Sequence, residues 1–476
     1  MVSLNPFKAL SEEQIEQFQR AAETILESTG FRVQHERLLH RARTAGAAVE
    51  EADGRVRLPR PLLRELLAHA PPRYDIRNVL GGSFTVGGGV PGVFAITNDP
   101  WIVDYDTREV RRPSLDDVRR HTIIGEKLDR VVCMSCMDYP VTDFTGPSSS
   151  FRALEHHLLH HTKHYVVLPA SLERLRMWIG IATVLNRGQD PSGCGLVSCG
   201  IPVLTPLTLT RGNAEFLLEA CTYGFPVIPT ICPMAGATSP CTIASTLLLA
   251  HCENLFMAAM TQLIRPGHPF MYAMGPSVSE MRAGENRYYT LDKVLWKTAG
   301  VQLAKAAALP CTAECGGAMS HRYDVQSGAE GMLFMLAART SGADVLAGLG
   351  SCCNANGLSA EMMLIHNARL DAAEFLSRGI DSSEHMLGLA NINDAGPGAH
   401  FLIDELTLEF AHGGAFFDND LFDYTGSYHK GAPILERAHA RVEEITRETE
   451  SSLPHDLRED LHRCFHDLCA KIDAEA

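Results

Sequence analysis

Short apolar runs alternate with longer stretches of helical periodicity from about residue 130 to about residue 400. The runs at 131–137, 164–169, 196–201, 226–232, 269–274, 311–315 and 344–349 read as strands buried on both faces, with a weaker eighth near 386–392. Between them, 171–187, 211–223, 240–264, 290–308, 324–341 and 359–378 have the length and spacing of helices. Eight such units predict an α/β fold, a closed (β/α)8 TIM barrel; an open doubly wound sheet is the alternative.

The ends of the chain carry a different pattern. Residues 11–29 predict a helix: Ser11 and Gln14 have capping-box spacing, Ile15, Phe18, Ala22 and Ile25 recur at helical intervals, and Gly30 can close the end. A second helix is expected over 36–46 and a third after Pro61. Between Tyr74 and Val110 the sequence turns glycine-rich and alternating, with turns around Gly81 and Gly88. Residues 1–113 therefore read as an N-terminal helical and β-hairpin cap. Residues 114–430 read as the barrel, opened by the capping pair Ser114 and Asp117. Residues 431–476 read as two C-terminal surface helices.

Thiols and acids cluster at the right-hand ends of the apolar runs: Cys136 and Asp138, Cys199, Cys232, Glu314 with Cys315, and Cys352 with Cys353. In a parallel barrel those ends share the rim where active sites are built, so the pattern points to an enzyme. Glu314, inside the apolar run PCTAEC, must find a partner or shift its pKa.

Charge and composition narrow the partners. With 42 Lys and Arg against 57 Asp and Glu, the formal charge of -15 argues against nucleic acid, whose binding rests on neutralising phosphates. The longest membrane candidate, TLLLAHCENLFMAAM, is interrupted by His251, Glu253 and Asn254, and MVSLNPFKALSEEQ lacks the pattern of a secretory signal. A cytoplasmic protein with no membrane association is expected, its 14 cysteines reduced. The glycine-rich LGGSFTVGGGVPG lacks the Gly-Lys-Ser/Thr ending of a phosphate loop. Cys133 and Cys136 have finger-like spacing but no matching second pair. The cluster His156, His157, His160, His161 and His164 reads chiefly as an exposed helix face able to pick up adventitious metal.

The densest candidate segment is PCTAECGGAMSHRYDVQSGAEG. Its DVQSGAEG resembles the D-x-Q-x-G-x-E element of the trimethylamine methyltransferase family, and further stretches agree in order: TNDPWIVDYDTREVRRPSLDD, PMAGATSPCTIASTLLLAHCEN, RPGHPFMYAMGP, GPGAHFL and LFDYTGSYHKGAPILERAHARVEEI. The resemblance implies a barrel that passes a methyl group from a methylated amine to the Co(I) of a corrinoid carried on a separate protein. The trimethylamine enzymes use pyrrolysine, and this sequence has none, so the resemblance runs to the members acting on quaternary amines such as glycine betaine. A quaternary ammonium leaves as a neutral amine and needs no proton, so the protein's tasks are to hold the cation and to admit the corrinoid.

Aromatic faces and carboxylates suit such a cation. Phe94, Trp101, Tyr272, Tyr288 and Tyr289, with Asn98, are the candidate substrate contacts, and Asp99 and Glu314 the counter-charges; ordinary core packing is the competing reading for each aromatic. His321, Gln326, Glu330 and His400 are candidates for supporting the rim on the corrinoid side, Asp324 and Glu330 having the competing readings of helix cap and solvated residue. The chain departs from the family pattern at Ile201-Pro202 before Thr205-Pro206-Leu207, at AGLGSCCN after the seventh run, and at Leu406-Thr407. A competing enzyme reading has Cys232, Cys315, Cys352, Cys353 and Glu314 hold zinc that activates an oxygen or sulfur methyl donor. A non-catalytic binding homologue is a third. A homo-oligomer is expected for a barrel with such appendages.

Overall fold

The computed structural model of the chain describes residues 8–411, 413–427, 429–448 and 451–474. Its centre is a parallel sheet in which Gly92–Ile96, Val131–Ser135, His164–Val167, Val197–Pro202 and Val227–Thr230 follow one another, while Val345–Leu349 pairs on the other side of Gly92–Ile96 and Thr312–Glu314 pairs in turn with Val345–Leu349. Parallel bridges from Val227 to Phe270 and from Tyr272 to Cys311 join the two edges. The sheet thus closes as an eight-stranded barrel, with the 270–272 segment in sixth place. Closure removes the exposed edges that an open parallel sheet would present.

Seven of the predicted strands lie where the apolar runs place them, and the eighth does not. The stretch near 386–392 is helical, split into Glu384–Leu387 and Leu389–Ala395 by Gly388 at φ 58, and neither helix buries a residue. The missing strand is Gly92–Ile96, the first of the barrel, which lies within the segment expected to be a cap. Its five residues, GVFAI, follow a glycine-rich turn and look in isolation like one more hairpin strand. The hairpin before it, Tyr74–Arg77 with Ser83–Val86, plugs the barrel: Tyr74, Ile76 and Val86 pack on the inward-facing Cys133, Val166, Met271 and Val345.

Helix ends follow the sequence signals. Glu12–Ser28 and Leu115–Lys127 both carry reciprocal capping boxes, from Ser11 with Gln14 and from Ser114 with Asp117. The long helix Ile243–Ile264 is apolar enough to cross a membrane but is largely buried in the barrel wall. Its polar residues are paired there: His251 with Tyr272 and Gln19, Glu253 with Thr205 and the Leu207 amide, Asn254 with the Ala250 carbonyl and the Ala273 amide. The helices Ile434–Glu448 and His455–Ala474 pack on the outer helices of the barrel. Tyr428, in the LFDYTGSYHK stretch, lies outside the described residues.

Candidate active site

A cavity of about 380 Å³ opens at the C-terminal mouth of the barrel. Its floor is the inner layer contributed by Phe94, Cys133, Val166, Ile228, Met271 and Val345, the layer that the plugging hairpin supports from below. Its walls are the loops that follow the strands, which carry Asp99, Met137, Tyr139, Cys232, Met274, Tyr288, Tyr289 and Asn354, together with Glu314 at the end of the seventh strand and Lys297 on the helix Asp292–Ala306. An apolar pocket with a few convergent polar groups is the usual form of a small-molecule site.

Asp99 follows the first strand by three residues. It is 7% exposed and lines the cavity, yet no described residue makes a hydrogen bond or ion pair to its carboxylate. Burial alone pushes its pKa up to about 7. Asn98 beside it is fully buried and does not line the cavity; its amide donates to the carbonyls of Met137 and Tyr139 at 3.1 and 2.9 Å, fixing the loop that presents Tyr139 to the cavity.

Glu314 is held differently. One oxygen accepts from the Tyr288 hydroxyl at 2.7 Å, and the other stands 3.5 Å from Lys293 Nζ and 3.3 Å from Lys297 Nζ. Burial acts to raise the Glu314 pKa, but the two ammoniums outweigh it and hold the carboxyl below its ordinary value. Lys293 also lies over the Tyr288 ring, 2.7 Å from its centre, and Lys297 donates to the Met274 carbonyl. Glu314 therefore already has its counter-charges, which corrects the expectation that it faces a substrate cation. The face of Tyr288 that Lys293 covers is likewise occupied.

Tyr289 lines the cavity with its hydroxyl donated to Ser351 at 3.0 Å and its ring edge-on to Phe334. The paired glycines of PCTAECGGAM explain its position. Gly317 has φ 118, and a Cβ there would lie 2.2 Å from the Tyr289 ring. Asn354, on the loop after the eighth strand, accepts from the Tyr288 and Tyr289 amides at 2.6 and 3.2 Å and so ties both tyrosines to that loop.

The remaining expected contacts lie elsewhere. Tyr272 is a core residue, 1% exposed, bonded to His251, because the sixth segment turns it outward into the barrel wall. Trp101 sits in a rim strand with the Arg112 guanidinium 3.9 Å over its ring, outside the cavity lining. His321 and His400 are exposed and do not line the cavity. Gln326 donates to Glu330, whose other oxygen accepts the Met319 amide at 2.9 Å, so this pair braces the loop after Glu314. Asp324 is the N-cap of the helix Val325–Ser341. Among the described residues no three His, Cys, Asp or Glu side chains converge as a metal-binding group. The histidine cluster is mostly buried rather than exposed: His157, His161 and His164 are internal, and His157 and His161 bond each other at 3.0 Å.

Sequence reasoning missed Lys293, Lys297, Tyr139 and Asn354. The two lysines had a signal: they stand four residues apart on the helix Asp292–Ala306, on a face whose neighbours are apolar.

The family model of trimethylamine methyltransferase (MTTB) matches residues 2–470. The chain belongs to the trimethylamine methyltransferase family. It is 27% identical over 456 residues to the glycine betaine methyltransferase of Desulfitobacterium hafniense strain Y51, covering 93% of each chain. It is 21% identical over 407 residues to the L-carnitine:corrinoid methyltransferase of Eubacterium limosum, covering 82% of each. The monomethylamine methyltransferase of Methanosarcina barkeri shares the fold, with a TM-score of 0.50 at 10% identity, over 98% of this chain and 88% of that one. This trimethylamine methyltransferase family member is a methyltransferase.

Proposed function

We propose that this methyltransferase takes a methyl group from a quaternary, glycine betaine-like amine, or a related methylated cation, and delivers it to a corrinoid on a partner protein. The observation that carries the reading is Asp99, a buried carboxylate with no partner among the described residues, facing a cavity whose lining is otherwise mainly apolar. Such a group is costly unless a cation completes it. Phe94, Tyr139 and Tyr289 supply aromatic surface around it, and methionines at 137, 271 and 274 supply polarizable contacts that fit methyl groups without donating hydrogen bonds.

The chain's residues orient the donor and exclude water. Asp99 fixes the ammonium, the barrel floor blocks retreat, and one N-methyl is left toward the open mouth. Because the leaving group is a neutral amine, no side chain has to donate a proton to it. A bound corrinoid supplies the low-valent cobalt nucleophile. The mouth suits a docked partner: loops at the C-terminal rim leave Met281, Leu291 and Val325 exposed at 71%, 51% and 89%. His321 and Gln326 lie on the same side, after the seventh strand.

The test is transfer to free cobalamin reduced to Co(I), followed by its visible spectrum, with glycine betaine, carnitine, proline betaine, choline and trimethylamine as donors. Loss of the Co(I) spectrum with a quaternary amine, abolished in Asp99→Asn, supports the reading. Transfer that survives Asp99→Asn at full rate rejects it.

A further inference from the structure

One stretch of the chain leaves the body of the protein and returns to the point it left. The helix Ala360–Ser377 runs along the outside of the barrel, and in its second half Asp371 and Glu374 both bind Arg130, which precedes the strand Val131–Ser135. Its last turn therefore lies at the end of the barrel remote from the mouth. The chain comes back there: the Phe417 ring packs on Phe375 with centres 5.7 Å apart, and Asn419 donates to Asp371 at 2.7 Å. Residues 378–416 form an arm whose two roots lie side by side.

The arm holds itself together but is not covered. Asn391 donates to Asp404 at 2.8 Å, and His385 pairs with Glu409 beside the Phe410 ring. Its helices Glu384–Leu387, Leu389–Ala395 and Glu405–Phe410 bury no residue, and Gly388 is the only buried position among the described residues of the arm. Ten large apolar residues between Ile380 and Phe416 are more than a third exposed, Ile380 at 95% and Ile403 at 78% among them. Together they show roughly 1,000 Å² to solvent, against the few hundred Å² that a monomer usually leaves in an apolar patch and the about 800 Å² that each partner gives to a standard interface.

Charge and place decide what covers it. The arm carries Asp381, Glu384, Asp394, Asp404, Glu405 and Glu409 and no Lys or Arg, which disfavours an anionic lipid surface or a nucleic acid. A protein that must come and go at the barrel mouth meets the opposite end of the molecule, and transient partners use smaller, more polar patches than this one. A permanent apolar surface of this size is the mark of an obligate interface, and most such interfaces in soluble proteins join copies of one chain. We infer that the arm 378–416 is an exchanged arm, seated on a second copy of this chain whose own arm is seated in return. The inference is independent of the methyl donor.

The experiment is sedimentation velocity of the full-length protein over a concentration series, with the double variant Leu402→Asp, Ile403→Asp and, as control, Val325→Asp at the mouth. The parent and the control are expected to sediment as a dimer or a higher even oligomer at micromolar concentration. The double variant should associate more weakly on the order of a hundredfold or more, since it places two charges at the centre of the arm. Both residues are exposed in the single chain, so its thermal midpoint after dissociation should match that of the diluted parent. Amide hydrogen exchange on the unmodified protein gives a second reading that no variant can spoil: amides of residues 384–410 should be protected in the oligomer and exchange rapidly on dilution. A parent that is monomeric at micromolar concentration, an oligomer that survives the double variant, or rapid exchange of 384–410 at every concentration overturns the inference.

Discussion

Lys293 places its ammonium 2.7 Å from the centre of the Tyr288 ring while the Tyr288 hydroxyl donates to Glu314 at 2.7 Å. Tyr288 thus joins a base and an acid from two different elements, and its role is to order the cluster more than to cage a ligand. Tyr288→Phe keeps the ring under Lys293 but removes a hydrogen bond to a charged acceptor, a loss of about 1.5–3 kcal/mol. Urea unfolding should show a destabilisation of that order, with the Lys293 contribution intact.

Asp99 gives the reaction a pH dependence with a definite sign. Its folded-state pKa, about 7, lies above the ordinary 3.8, so the ionised form that attracts a cation is the minority form below about 7. KM for a quaternary amine should fall tenfold per pH unit on rising toward 7 and level off above it. In Asp99→Asn that slope disappears. The lost ion contact, worth about 4 kcal/mol at an effective dielectric near 20 before reorganisation, weakens binding on the order of 100-fold or more.

The same shift predicts a stability effect of the opposite sense. A carboxyl whose folded pKa is raised contributes stability that is complete below its unfolded value and is lost as pH rises through about 7. Asp99→Asn abolishes that loss. Denaturation midpoints of the two proteins should converge near pH 4, and at pH 8 the variant should be the more stable by a few kcal/mol. A variant no more stable than the parent at pH 8 would show that Asp99 is not desolvated.

Tyr272 separates core from site. It is buried in the barrel wall against His251 and does not line the cavity. Tyr272→Phe leaves a buried His251 nitrogen without its partner, which costs about 1–3 kcal/mol. The thermal midpoint should fall while KM for the methyl donor holds.

The barrel was legible because seven of its strands are apolar runs spaced by helices, a pattern that survives without any knowledge of contacts. The first strand was not, since GVFAI follows the glycine-rich turn that ends the plugging hairpin and reads as its continuation, and only its pairing with Val131–Ser135 and Val345–Leu349 distinguishes it. Of the site, Asp99, Phe94, Tyr288, Tyr289 and Glu314 do converge on the cavity, because Phe94 faces inward from the first strand and the others end a barrel strand or lie on a rim loop. What sequence could not give was pairing. Glu314 and Asp99 look alike as acids among apolar residues, and only the helix Asp292–Ala306 lying against the seventh strand turns Glu314 into a neutralised group and leaves Asp99 open.

Gly317 shows how far that convergence depends on the loop after Glu314. Its φ of 118 lies in the region favouring glycine, and any Cβ would press into the Tyr289 ring. Gly317→Ala must therefore strain the backbone or push Tyr289 off Ser351, and with it the neighbouring Tyr288 that Asn354 tethers. The expected result is a destabilisation of about 1–3 kcal/mol together with a lower kcat and raised KM, since Tyr289 lines the cavity. Gly328→Ala, on the helix Val325–Ser341 where a Cβ meets nothing within 4 Å, is the control and should leave both kinetic constants unchanged while adding a fraction of a kcal/mol to about 1 kcal/mol of stability. If the two alanine variants behave alike, the glycine pair is not what seats Tyr289, and the wall of the cavity has some other support.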